Sequence, residues 1–246
     1  MISPAVRDLI YILAAVLFIF DLKWMSHPRT AVRGNYAGVL GMVLAVAATV
    51  FSQSLDWATM SIGVGIGAVI GHEIGHGFDD SGRRFDGDGV LRDWWTKEDT
   101  DKFEVRKNKL AAQYDGYDVI DGLTINGQFT SGENIGDLGG LSIAYLAYKM
   151  SLDGKEAPVI DGWTGDQRFF LGWAQVWRAK ARDEEIKRRL TVDPHSPPKF
   201  RANGAAVNVP AFYEAFNVQE GDGMYLAPED RVKIWRSEEH TSELQS

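Results

Sequence analysis

The sequence predicts a mainly α chain, in which two to three membrane-type helices precede a helical subdomain built around a metal site. Three observations carry this. Residues 1–71 hold long apolar runs and few charges, a His-Glu-x-x-His run begins at His72, and two acids at helical spacing, Glu133 and Asp137, follow later in the chain.

The net charge of −8 is unevenly spread. Residues 1–71 carry four basic and three acidic side chains, which leaves −9 on the remainder. An acidic domain with no basic cluster argues against nucleic-acid binding. With no cysteine, a metal has to be held by His and carboxylate. Five histidines are available: His27, His72, His76, His195 and His240.

Leu9 to Phe20 is an unbroken apolar run of twelve residues. With its flanks it approaches the ~20 residues a spanning helix needs. No small-residue cleavage site follows it, so a membrane helix is favoured over a signal peptide. Tyr36 to Phe51 is a second charge-free run, of sixteen residues. The loop between them carries Lys23, Arg29 and Arg33 and no acid, which places it in the cytoplasm and the N-terminus outside. Trp57 to Gly71 is a third apolar stretch, short and glycine-rich. Its Gly63-Val64-Gly65-Ile66-Gly67-Ala68 imitates a dinucleotide loop, but no strand-turn-helix pattern surrounds it, so no nucleotide cofactor is expected. Gly63, Gly67 and Gly71 recur every fourth residue, which suits close helix packing in a membrane or a buried lead into the helix that follows.

That helix bears the first half of the site. His72 and His76, four apart, share a face and can offer imidazole nitrogens to one metal ion, as in the zinc-peptidase signature. Glu73 stands one step round, placed as a general base for a metal-activated water. Asp79, three residues past His76, can accept that ring's second proton. The turn-rich segment 81–89 contains Asp86 and Asp88 but lacks the later ligands of a calcium loop, so it reads as ordinary turn chemistry. Lys97 to Lys109 reads as a surface helix. A two-histidine zinc centre needs a third protein ligand, and Glu133 and Asp137 share one helical face. One of them can bind the metal while the other holds a ligand imidazole.

Two family resemblances accompany these readings. The first run, the basic loop and the second run, about residues 1–71, resemble the N-terminal membrane region of the beta subunit of proton-translocating nicotinamide nucleotide transhydrogenase. HEIGHGFDDSGRRFDGDGVLRDWW followed by NGQFTSGENIGDLGGL resembles the catalytic domain of the neprilysin and endothelin-converting-enzyme family of zinc endopeptidases. FFLGWAQVWRAK, VDPHSPPKFRANG, AFNVQEGDGMY and RVKIW extend that likeness from about Gly65 to Trp235.

The second resemblance implies a truncated thermolysin-like (gluzincin) catalytic subdomain. It implies one zinc ion on His72, His76 and Glu133, with Glu73 as base and Asp137 orienting the first histidine. His195 and Arg201 match the spacing of the family's His and Arg that stabilise the transition state. Peptide substrates and an extracytoplasmic, membrane-attached catalytic domain follow as expectations. The family's Asn-Ala substrate strand has no counterpart ahead of His72, and neither does its covering helical domain, so weak activity is expected.

The organisation expected is therefore residues 1–64 as transhydrogenase-like membrane helices, 65–235 as an incomplete metallopeptidase domain, and 236–246 as a tail. The tail, RSEEHTSELQS, is unpatterned and resembles a translated sequencing adapter. Two alternatives stand beside this: a transhydrogenase-like membrane fragment without chemistry, and a chimera joined near 65–71.

Overall fold

A computed structural model describes residues 3–25, a few positions between 37 and 48, and residues 57–235. The chain divides into two compact units, Met1–Gly63 and Val64–Ser246.

In the first unit α1 spans Pro4–Met25. Small residues allow close approach to it: a Cβ on Gly41 would stand 3.1 Å from the Ala14 carbonyl oxygen. Among the described residues no helix is long and apolar enough to cross a membrane, so the expected membrane helices find no support there. The physical reason lies at the ends of α1. Arg7 and Asp8 precede the apolar run, and Asp21 and Lys23 follow it. Only twelve uncharged residues remain between them. These cover about 18 Å at ~1.5 Å per residue, short of a hydrocarbon core of ~30 Å. Most of the second apolar run and the basic loop, like the tail, lie outside the described residues.

The remaining elements form the second unit, apart from the first turns of α2. This helix spans Trp57–Gly75, so the dinucleotide-like glycines fall in a helix interior rather than a strand-to-helix turn. α3 covers Lys97–Asp115, longer than the sequence suggested; Thr96 caps it by accepting the Asp99 backbone N–H at 3.1 Å. A two-stranded antiparallel ribbon follows, β1 Asp118–Ile120 and β2 Leu123–Thr124, turned by Asp121 and Gly122 at positive φ. α4 is Ser131–Ser151, and α5 is Gly165–Val176, opened by a Thr164–Gln167 capping box. α6 Asp183–Val192, α7 Pro198–Ala206 and α8 Pro210–Phe216 complete the order. The last two each start on proline, whose fixed φ suits a first helical turn.

The core gathers Leu110 and Tyr114 of α3, Ile135, Leu138 and Leu141 of α4, Phe169, Phe170 and Trp173 of α5, and Phe200 of α7. α4 is the central element and packs against both α3 and α7. The segment after α2 is ordinary turn structure: the Asp86 carboxylate accepts the backbone N–H groups of Asp88 and Val90.

α2 and α4 run antiparallel along facing stripes of small residues. A Cβ on Gly67 would meet Ala144 Cβ at 3.6 Å, one on Gly71 would meet Gly140 Cα at 2.9 Å, and one on Gly75 would meet Gly136 Cα at 3.6 Å. Of the glycines that recur every fourth residue, Gly67 and Gly71 serve this contact and Gly75 extends it, while a Cβ on Gly63 would meet nothing within 4 Å. Only such close approach lets side chains at the end of α2 reach the start of α4.

Candidate metal centre

The C-terminal turn of α2 and the N-terminal turns of α4 meet at the site. His72 is buried, and its ring slides over Gly136, where a Cβ would stand 2.6 Å from Nδ1. His72 Nδ1 donates to Asp137 Oδ1 at 3.0 Å, and its Nε2 lies 3.2 Å from Glu133 Oε2. His76 Nδ1 donates to Asp79 Oδ2 at 2.8 Å, and its Nε2 lies 3.6 Å from Glu133 Oε1. Asp79 is itself fixed, because its other oxygen accepts the backbone N–H groups of Ser81 and Gly82.

One donor atom each from His72, His76 and Glu133 lies within 4.8 Å of the others. Around a tetrahedral zinc with bonds of ~2.0–2.1 Å, donors stand roughly 3.3–3.4 Å apart. The 3.2 and 3.6 Å Nε2-to-carboxylate separations bracket that edge, so this donor set fits one zinc ion. Each imidazole has its far nitrogen held by a carboxylate, which fixes the tautomer with Nε2 as the ligand atom. Glu73 is exposed on the next position of α2, and its carboxylate makes no hydrogen bond or ion pair among the described residues.

His195 and Arg201 come from the loop before α7 and from α7 itself, and both reach Glu133. His195 Nε2 lies 3.2 Å from Glu133 Oε2. Arg201 grips Asp137 with two bonds, Nε to Oδ2 at 2.7 Å and Nη2 to Oδ1 at 2.8 Å, and its Nη2 also donates to Glu133 Oε2 at 3.2 Å. Of the eight residues singled out in the sequence, seven are joined by these contacts, while Glu73 stands next to His72 on α2 and is exposed. Two others went unnoticed there. Asp193 accepts from His195 Nδ1 at 2.6 Å, and the Trp177 ring lies under the Arg201 guanidinium at 4.1 Å. The spacing Asp-x-His was a usable signal for the first; nothing local marked the second.

The electrostatics follow from this geometry. Burial alone depresses the His72 imidazole, but hydrogen bonds to Asp137 and Glu133, with their charges, outweigh it and carry the group up to about 9. Burial works against the Glu133 carboxylate, yet the His72 hydrogen bond and the charges of His195 and Arg201 hold it below the usual carboxylate range. The arrangement suits a cation at the point where the two Nε2 atoms and Glu133 converge, with hydrogen-bond donors along one side.

Comparison with known proteins gives two family matches. Residues 44–232 match peptidase family M13, and residues 7–78 match the NAD(P) transhydrogenase beta subunit. The chain is 43% identical over 171 residues to the neutral endopeptidase of Lactococcus lactis subsp. lactis, covering 70% of this chain and 26% of that protein. It is 45% identical over 177 residues to neprilysin-1 of Caenorhabditis elegans, covering 70% and 23%. Among solved structures, the Mycobacterium tuberculosis zinc metalloprotease Zmp1 in complex with an inhibitor superposes with a TM-score of 0.70 at 54% identity, over 77% of this chain and 30% of that one. The chain thus spans about a quarter of the length of the curated relatives it matches.

Proposed function

The chain belongs to peptidase family M13, and from that premise we propose that residues 65–235 carry a zinc-dependent endopeptidase centre, with His72, His76 and Glu133 holding one zinc ion. The observation that carries this reading is the convergence of those three donors, each imidazole being backed by its own carboxylate. Bound zinc supplies Lewis acidity and brings the pKa of a water towards ~7.

The protein's own groups then divide the work. Glu73, beside the ligands on α2, takes the proton of the attacking water and passes it to the leaving amine. His195 and Arg201 donate to the oxyanion that forms at the scissile carbonyl. Asp137 and Asp79 keep the two imidazoles oriented. The substrates are peptides, in keeping with the endopeptidase names of the curated relatives. Residues 1–64 are a separate transhydrogenase-like piece without chemistry of its own.

The test separates metal binding from hydrolysis. Native protein and Glu73→Gln are expected to carry about one zinc by elemental analysis, and His76→Ala none. Only the native form should cleave a quenched peptide. Full zinc content in both His76→Ala and Glu133→Ala would remove the ligand assignment.

A further inference from the structure

Glu133 and His195 are 62 residues apart in the chain and meet at 3.2 Å, although His195 sits on a loop and its side chain is about half exposed. The neighbouring residue of each is completely enclosed. Asn134 is 0% exposed and Ser196 2%. Between them runs a buried hydrogen bond, Ser196 Oγ donating to Asn134 Oδ1 at 2.8 Å.

The bond belongs to a chain whose proton directions are all determined. The Thr130 hydroxyl donates to the Asn126 carbonyl at 3.1 Å. With its proton committed there, Thr130 Oγ1 accepts from Asn134 Nδ2 at 2.9 Å. The amide nitrogen of Asn134 therefore faces Thr130 and its oxygen faces Ser196. Each polar side-chain atom of Thr130, Asn134 and Ser196 thus has a partner, and the last donor is supplied by the loop.

We infer that Asn134 and Ser196 form a clamp that positions His195 against the metal-ligand helix. The inference rests on the reading of this cluster as the peptidase centre. Asn134 follows Glu133 on α4, and Ser196 follows His195 on the loop. One bond between the followers fixes the distance between the leaders. Asp193 orients the His195 ring from within the same loop, but a contact two residues away cannot fix that loop on α4. The clamp does. Losing the hydroxyl costs the loop its buried anchor and leaves Asn134 Oδ1 without a partner, so the loop gains freedom while α4 keeps its other contacts.

The test is NMR relaxation on imidazole-labelled full-length protein, where five histidines make assignment by single substitution practical. In the native chain the His195 ring should relax as rigidly as those of His72 and His76. In Ser196→Ala the rigid His195 signal should be lost while His72 and His76 stay unchanged. Asn134→Leu, which removes the acceptor instead, should reproduce the pattern. An unchanged His195 ring in Ser196→Ala overturns the inference. So does equal loosening of all three rings, which marks a merely structural bond. Zinc content, measured on the same samples, reports separately on the peptidase reading.

Discussion

Gly71 of α2 lies against Gly140 of α4 so closely that a Cβ on Gly140 would stand 2.9 Å from the His72 backbone nitrogen and 2.2 Å from the Ala68 carbonyl oxygen. The backbone that presents His72 is therefore seated on a position that tolerates no side chain. Gly140→Ala should force the helices apart, lowering stability by about 1–3 kcal/mol, the usual cost of overpacking. It should weaken zinc binding as well, because His72 and Asp137 separate. Thermal unfolding and a zinc titration on the same protein check both. Unchanged values in the two assays would mean the contact is not tight.

Asp137 serves two partners at once, His72 and the Arg201 fork. Asp137→Asn should reduce zinc affinity by roughly 10–100-fold, the scale for losing a carboxylate behind a ligand histidine. It should also lower stability by roughly 3 kcal/mol, since a buried guanidinium loses its counter-charge. Competition against a chelator of known affinity gives the first number and urea unfolding the second.

Metal uptake should be coupled to protons. With the metal-free His72 imidazole raised from 6.5 to about 9, zinc must displace a proton at neutral pH. Affinity should climb about tenfold per pH unit from 7 to 9 and then level off. The metal-free fold follows the opposite course. A group whose folded pKa exceeds its unfolded value contributes fully below 6.5, and that contribution is lost as pH rises through about 9. Calorimetry in buffers of different ionisation enthalpy counts the protons released, and melting of the metal-free protein across that window checks the sign.

Hydrolysis by this 246-residue chain should be weak even with zinc bound. Orientation of the substrate backbone supplies much of the rate in such enzymes, and an edge strand is the usual device. Among the described residues the only sheet is the β1–β2 ribbon. Robust cleavage of a quenched peptide, absent in Glu73→Gln, would show that this chain orients substrate by other means.

Much of the centre was legible because its parts obey helical spacing. His72, His76 and Asp79 follow one another at three and four residues, as do Glu133 and Asp137, so each half can be read from a single turn or two. What joins the halves could not be read that way. The glycines at 63, 67 and 71 suit helix packing in a membrane or a buried lead into the next helix, and only the contacts of 67 and 71 with 144 and 140 reveal their partner, α4. The first apolar run reached spanning length only together with flanks whose charges leave twelve uncharged residues between them. Trp177 escaped notice because its position under Arg201 depends on how α5 and α7 pack, which no local pattern encodes.

The donor set is split between two distant stretches of chain, with 56 residues separating His76 from Glu133. An ion held by both would act as a staple across that loop. In chain-entropy terms a cross-link closing a loop of this size restricts the unfolded ensemble by about 4 kcal/mol. Metal loss would then lift that restriction from the unfolded chain as well as silence a catalyst, so chelated protein should unfold, and be digested, more readily as a whole.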